Sequence, residues 1–167
     1  VIAYPTEAVF GLGCDPGCDE ALRRILSIKA RPGGAGFILI AADWAQLAGW
    51  IAPSAAEAAR LRAPTPAPTT WVVTADRRAS MVVTGGRRTI AVRLTQHPVA
   101  SALCRAAGTP LISTSANRHG RRPARTALEA RRWFGAQIDF VVSGEIGGLA
   151  RPTEIREARS GKVIRAG

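Results

Sequence analysis

The stretch "VIAYPTEAVFGLGCDP", Val1–Pro16, decides how the rest of the chain is read. A short β-branched run meets Pro5, then Thr6 and Glu7, and two closely spaced glycines, Gly11 and Gly13, come after them. This order predicts a strand that ends abruptly in a Pro-Thr-Glu turn, with both glycines free to adopt positive φ and let main chain approach a ligand. Taken alone, the same stretch is a tight turn before a helix. In an open α/β sheet, ligands sit beyond the carboxyl ends of strands, so the elements downstream of Pro16 decide between the two.

Outward from that stretch, strands and helices alternate. Asp19 and Glu20 offer an N-cap and a negative first turn to a helix with Leu22, Ile25 and Leu26 at helical spacing. Pro32 should stop it, which puts Lys29 and Arg31 at its C-terminal end and in the next loop. "FILIAA" (37–42) is a central strand. "DWAQLAGWI" (43–51) and "SAAEAARLR" (54–62) predict two helices, the second opened by a capping box of Ser54 and Glu57. A proline-rich loop, "APTPAPTTWVV" (63–73), feeds a strand at Trp71–Val73. "RRTIAVRL" (87–94) alternates as a strand does, Pro98 starts a helix running to about Ala107, and "PLISTSAN" (110–117) is an apolar strand ending in small polar residues. A capping box of Thr126 and Glu129 opens a last helix, and residues 137–144, 153–158 and 162–167 look like closing strands. The fold class is α/β in one domain over residues 1–167, without internal repeats. Val1 falls inside a strand, so a further N-terminal segment is expected ahead of it.

Composition narrows the partners. Apolar residues make up 47% and charged ones 21%, a globular balance. No apolar run approaches the roughly 20 residues needed to span a bilayer, and no secretory leader is visible, so no membrane and a cytoplasmic location are expected. The formal net charge is +11, which attracts polyanions. Nearly all of it is arginine, as heavy use of Arg and Ala by a GC-rich coding bias would give; Lys29 and Lys162 are the only lysines. A retained lysine in such a chain invites a chemical reason. The three cysteines, Cys14, Cys18 and Cys104, contain no CxxC pair and read as reduced thiols. A zinc site from Cys14, Cys18 and His97 has poor spacing, and no metal ligands are assigned.

Familiar nucleotide signatures are missing: no GxxxxGK[ST] loop, and "RPGGAG" has glycines without the GxGxxG spacing. Three other pieces could hold a ligand. The Thr6 turn is one. In "KAR", Lys29 and Arg31 repel each other unless an anion lies between them. In "STSAN", Ser113, Ser115 and Asn117 recur at period two, so all three could face one side, and hydroxyls with an amide at a strand end suit phosphate or carboxylate oxygens. Singly, "STSAN" is an ordinary polar turn and "KAR" a solvated helix end. Jointly they are harder to dismiss.

"VIAYPTEAVFGLGCDP", "KARP", "AVRLTQHP", "STSAN" and the terminal "PTEI…VIRAG" occur in the same order as in the YrdC/TsaC family of threonylcarbamoyl-AMP synthases, which the whole chain resembles in its short bacterial form. The resemblance implies a twisted mixed sheet flanked by helices, a YrdC-like fold related to the DHBP-synthase-like α/β fold, with a concave, positively charged face. It implies formation of L-threonylcarbamoyladenylate and pyrophosphate from L-threonine, bicarbonate or carbon dioxide, and ATP with Mg2+, for threonylcarbamoyl-transfer proteins that modify tRNA. The family's catalytic tetrad falls on Lys29, Arg31, Ser115 and Asn117. Ser113 and Arg165 match further ATP-binding positions, Thr6, Thr95 and Thr153 match positions near the threonine substrate, and Arg93 is an additional anion-binding candidate. Three departures from the family pattern are present: Thr65 and Ala67 replace a tryptophan and a glycine, Ala35 stands where many relatives carry a basic residue, and His119 replaces a frequent serine. Two competing expectations remain. One is a non-catalytic RNA-binding module, suggested by the charge and "RHGRRPAR" (118–125), although aromatic residues at 5% leave few stacking platforms. The other is a carbamoyl-transfer domain of hydrogenase maturation, normally part of a much longer chain.

Overall fold

The structure, a computed structural model, describes residues 1–30 and 36–167. Arg31 and Ala35 therefore lie outside the described residues. Among the described residues nine strands, β1 (Ile2–Pro5), β2 (Phe10–Gly13), β3 (Ile38–Ala41), β4 (Thr69–Thr74), β5 (Thr89–Leu94), β6 (Leu111–Ser115), β7 (Phe140–Val141), β8 (Glu154–Glu157) and β9 (Val163–Arg165), form one mixed sheet in the order β7-β1-β2-β6-β3-β5-β4-β8-β9. The pairs β1/β7, β3/β5 and β4/β8 are parallel and the others antiparallel. Five helices accompany it among the described residues: α1 (Asp19–Lys29), α2 (Ala55–Arg62), the single-turn α3 (Met81–Thr84), α4 (Pro98–Ala107) and α5 (Ala127–Phe134). No helix among the described residues is long and apolar enough to cross a membrane.

Successive strand residues enter different cores, as a period of two requires. Leu39 and Ile112 pack with Leu22 and Ile25 of α1, whereas their neighbours Ile40 and Leu111 pack with Ala100 and Cys104 of α4. Helix α5 covers Ala3, Phe10 and Leu12 through Ala130 and Phe134, on the α1 side. The face that α4 shares is only partly covered. In register across it lie Gly11 opposite Ser115, Ile38 opposite Ala91 and Ser113, Ile40 opposite Arg93, and Ile155 opposite Thr70 and Arg165. Small, hydroxyl and cationic side chains thus alternate with these isoleucines where an all-apolar face would call for a covering helix. That open part of the face is a cavity of about 880 Å³.

Several local expectations are corrected. Gly11 and Gly13 belong to β2, and neither has positive φ. They serve close approach: a Cβ at Gly13 would stand 2.3 Å from the Ile112 carbonyl oxygen and 2.7 Å from the Tyr4 ring. Helix α1 begins at Asp19, leaving the N-cap to Cys18, whose side chain makes no capping bond. Residues 43–51 form only a 3-10 turn, Ala45–Leu47, because the Gln46 side chain binds the Ala42 amide and the Cys104 carbonyl, and the backbone turns at Gly49 with φ of 82°. The Ser54/Glu57 capping box is complete. At α5 only half of the expected box exists: Thr126 caps the Glu129 amide, but the Glu129 carboxylate binds Arg122 and the Arg125 amide instead.

Candidate active site

Helix α1 ends in a left-handed residue, Ala30 (φ 45°), and its last residue, Lys29, is buried rather than solvated. The Lys29 ammonium donates to the main-chain oxygens of Ser115 (2.6 Å) and Asn117 (3.0 Å) and to Asn117 Oδ1 (2.9 Å). Asn117 Oδ1 also accepts from the Ser115 hydroxyl (2.6 Å), and the Asn117 amide donates to the Arg121 carbonyl (2.7 Å). An ammonium 86 positions away from Ser115 along the chain thus fixes the shape of "STSAN". The hydroxyl and amide are oriented before any ligand arrives, which removes that ordering cost from binding.

Across the cavity, β5 brings in Arg93. It is buried, and its Nη1 donates to Thr153 Oγ1 (2.7 Å) and Thr70 Oγ1 (3.4 Å). Its Nη2 lies 3.2 Å from Oε2 of the buried Glu7. Burial pushes the Glu7 carboxyl up, but the Arg93 guanidinium and the Thr95 hydroxyl outweigh it and hold the group below its ordinary value. Arg165 on β9 donates to the Thr153 carbonyl (2.8 Å), and partial burial together with the like charge of Arg93 lowers its pKa. Two guanidiniums that press on each other at one wall gain when an anion enters between them.

Of the residues singled out in the sequence, Thr6, Lys29, Arg93, Ser113, Ser115, Asn117, Thr153 and Arg165 all line this one cavity. Ser113, Ser115 and Asn117 do share a side. Thr95 is one layer behind, its hydroxyl donating to Glu7 Oε1 (2.7 Å). The Thr6 hydroxyl is engaged by the Val9 carbonyl (2.7 Å), and that of Thr153 by Arg93 and Thr70. Glu7, Thr70 and Arg87 are absent from the residues that the sequence nominates. Glu7 carries a signal, a lone acid in a turn already suspected of holding a ligand; Thr70 and Arg87 carry none. His119 also lines the cavity, and its amide donates to the Lys29 carbonyl (3.2 Å). Thr65 and Ala67 border a separate 660 Å³ hollow that meets the first at Pro152 and Thr153. Cys14, Cys18 and His97 do not come together: no group of three metal-binding side chains exists among the described residues.

A mixed sheet whose exposed face gathers hydroxyls, an amide, a lysine and three arginines into one cavity has the construction of an α/β protein with a site suited to a small anionic ligand. The Sua5/YciO/YrdC family model, described as "Telomere recombination", matches residues 1–167, and the chain belongs to this family. A threonylcarbamoyl-AMP synthase of Halorhodospira halophila is 56% identical over 166 residues, covering 99% of this chain and 87% of that protein. The structure of P. abyssi Sua5 complexed with L-threonine superposes with a TM-score of 0.85 at 29% identity, over 93% of this chain and 46% of that one. E. coli YciO gives a TM-score of 0.85 at 26% identity, over 100% of this chain and 82% of that one.

Proposed function

We propose that this chain is a threonylcarbamoyl-AMP synthase, a nucleotidyltransferase that adenylates a carbamate of L-threonine. The observation that carries the reading is the convergence of Lys29, Ser115 and Asn117 with Arg93 and Arg165 on one 880 Å³ cavity, in a chain 56% identical to a protein of that name. The volume lies within the range of small-molecule sites.

The threonine amine loses a proton and bonds to the carbon of carbon dioxide, supplied from bicarbonate, giving a carbamate. A carbamate oxygen then attacks the α-phosphorus of ATP, and the bond to the bridging oxygen breaks to release pyrophosphate. Such a displacement asks the protein for alignment and for stabilisation of negative charge, with no covalent nucleophile. Lys29 supplies a fixed positive potential and holds the "STSAN" backbone. Ser115 and Asn117 orient phosphate oxygens, and the forks of Arg93 and Arg165 face anionic oxygens on the opposite wall. Arg31 completes the family's tetrad by sequence. Magnesium enters as part of the substrate, MgATP. Glu7 is the only carboxylate among the described lining residues, and it is committed to Arg93, Thr95 and Gln96, so the side chains do not form a metal cradle of their own. The adenylate would be handed in the cytoplasm to a transfer protein acting on tRNA.

Incubation with MgATP, labelled bicarbonate and L-threonine should give a threonine-dependent labelled adenylate and one pyrophosphate per adenylate. A folded protein that makes neither contradicts the proposal. The non-catalytic RNA-binding reading is disfavoured by a cavity of this construction, and it predicts salt-sensitive RNA binding with no binding of ATP.

A further inference from the structure

Glu7 stands in the cavity wall without a role in the adenylation itself. Its Oε1 accepts from the Thr95 hydroxyl (2.7 Å) and the Gln96 amide (3.2 Å), both immediately beyond the end of β5. Its backbone carbonyl accepts from the Leu149 amide (3.0 Å), while the Thr6 carbonyl accepts from Gly147 (2.9 Å). Gly147 lies so close that a Cβ there would stand 3.0 Å from the Glu7 Cα. The backbone at Glu7 is thus held by Gly147 and Leu149, and the carboxylate by Thr95 and Gln96, which keeps it beside Arg93. Its other oxygen, Oε2, makes an ion pair with Arg93 Nη2 at 3.2 Å but has no aligned hydrogen bond, and Arg93 Nε is likewise buried without one.

We infer that Glu7 is a positioning residue for Arg93: with Thr70 and Thr153 it clamps the terminal nitrogens of the guanidinium, so that the arginine meets the anionic substrate in one orientation. Three constraints act on one flat group. Thr153 and Thr70 take Nη1, and Glu7 attracts Nη2. The Nε–H remains unused inside the protein, on a residue that lines the cavity. A carboxylate suits the task better than an amide, because a buried guanidinium without a counter-charge would bear its full desolvation cost in the ligand-free protein. Glu7 and Arg93 hold each other in place when the cavity is empty, and the ligand meets an arginine already aimed.

The kinetic part of this inference rests on the synthase reading; its structural part does not. In Glu7→Gln the side-chain volume is kept, and with the amide oxygen toward Thr95 and Gln96 those hydrogen bonds remain, while the charge facing Arg93 is lost and an NH2 donor replaces its acceptor oxygen. Nitrogen-15 spectra would follow the Arg93 guanidinium resonances, assigned by their absence in Arg93→Gln. In the wild type they should show restricted rotation; in Glu7→Gln they should average. The kcat/KM for L-threonine should fall about 10- to 100-fold, as displacement of an aligned binding group by a fraction of an ångström costs. A Glu7→Gln variant whose Arg93 signals stay restricted, or whose kcat and KM both match the wild type, overturns the inference. If Glu7→Gln alone folds poorly, the double variant Glu7→Gln/Arg93→Gln removes the uncompensated charge. Positioning through Arg93 predicts that Glu7→Gln costs no further activity in the Arg93→Gln background, whereas an independent structural role predicts the same loss in both backgrounds and overturns the inference. Wild-type protein that makes no adenylate would sink the synthase reading, and the guanidinium spectra would still decide whether Glu7 holds Arg93.

Discussion

Replacing Lys29 with methionine keeps the aliphatic stem and removes the ammonium that joins α1 to "STSAN". Two main-chain carbonyls and Asn117 Oδ1 lose a charged donor, although Oδ1 keeps the Ser115 hydroxyl. Hydrogen bonds to a charged group are worth about 1.5–3 kcal/mol each, but three that share one donor do not add, and a neutral side chain no longer bears the desolvation of a buried ammonium. The net loss should be about 2–4 kcal/mol. At about 2–4 °C per kcal/mol for a domain of this size, Tm drops by roughly 5–15 °C. Removal of a preorganised positive charge beside the transferring phosphoryl group should also lower kcat by about 10²–10³. Adenylate formation measured well below both midpoints separates the two effects, because the folded fraction is then close to one for each protein. A Lys29→Met enzyme with lowered Tm but kcat within about 3-fold of wild type would show that the lysine is only a tether, and the electrostatic argument would fail.

Gly13→Ala should be destabilising by about 1–3 kcal/mol or more in urea unfolding, since the new methyl group meets backbone as well as the Tyr4 ring; a loss under about 1 kcal/mol would mean that the close approach is not needed. Burial pushes the Cys14 thiol up to about 12 and Cys104 to about 11, while Cys18 is exposed, so a disulfide reagent at pH 8 should titrate one thiol in the native protein and all three in denaturant. Fast reaction of two or more native thiols would contradict this. At Glu57, burial raises the carboxyl but the Ser54 amide and the Thr74 hydroxyl and amide outweigh it, so its pKa is depressed. Its stabilisation is therefore complete above the ordinary glutamate value of about 4.3 and is lost as pH falls through the depressed one. The stability difference between wild type and Glu57→Gln should be constant from about pH 6 to 8 and shrink below about pH 4; a difference that grows on acidification would reverse the sign.

The order of strands along the chain is legible because alternation marks a half-covered strand: "RRTIAVRL" and "PLISTSAN" announce β5 and β6, and the break from apolar to small polar residues in β6 already marks the uncovered face. The helix expected over 43–51 does not form because Gln46, polar and unremarkable in a periodicity count, finds partners on two other segments. Gly11 and Gly13 look like conformational devices in the sequence, but their reason is packing against β6 and Tyr4, a contact that exists only once strands distant in sequence pair. The same limit hides Thr70: a threonine in a strand is ordinary until Arg93 is placed beside it. Conversely Lys29 stands out because the chain otherwise avoids lysine, and its chemical reason is three oxygens converging on one ammonium.

A crystal structure with L-threonine and a non-hydrolysable MgATP analogue tests the shared-cavity claim most directly. The triphosphate should lie against Ser113, Ser115 and Asn117, with the guanidiniums of Arg93 and Arg165 turned to anionic oxygens of the two substrates. A nucleotide bound elsewhere, or a cavity that stays empty at millimolar ligand while the protein remains folded, would contradict it.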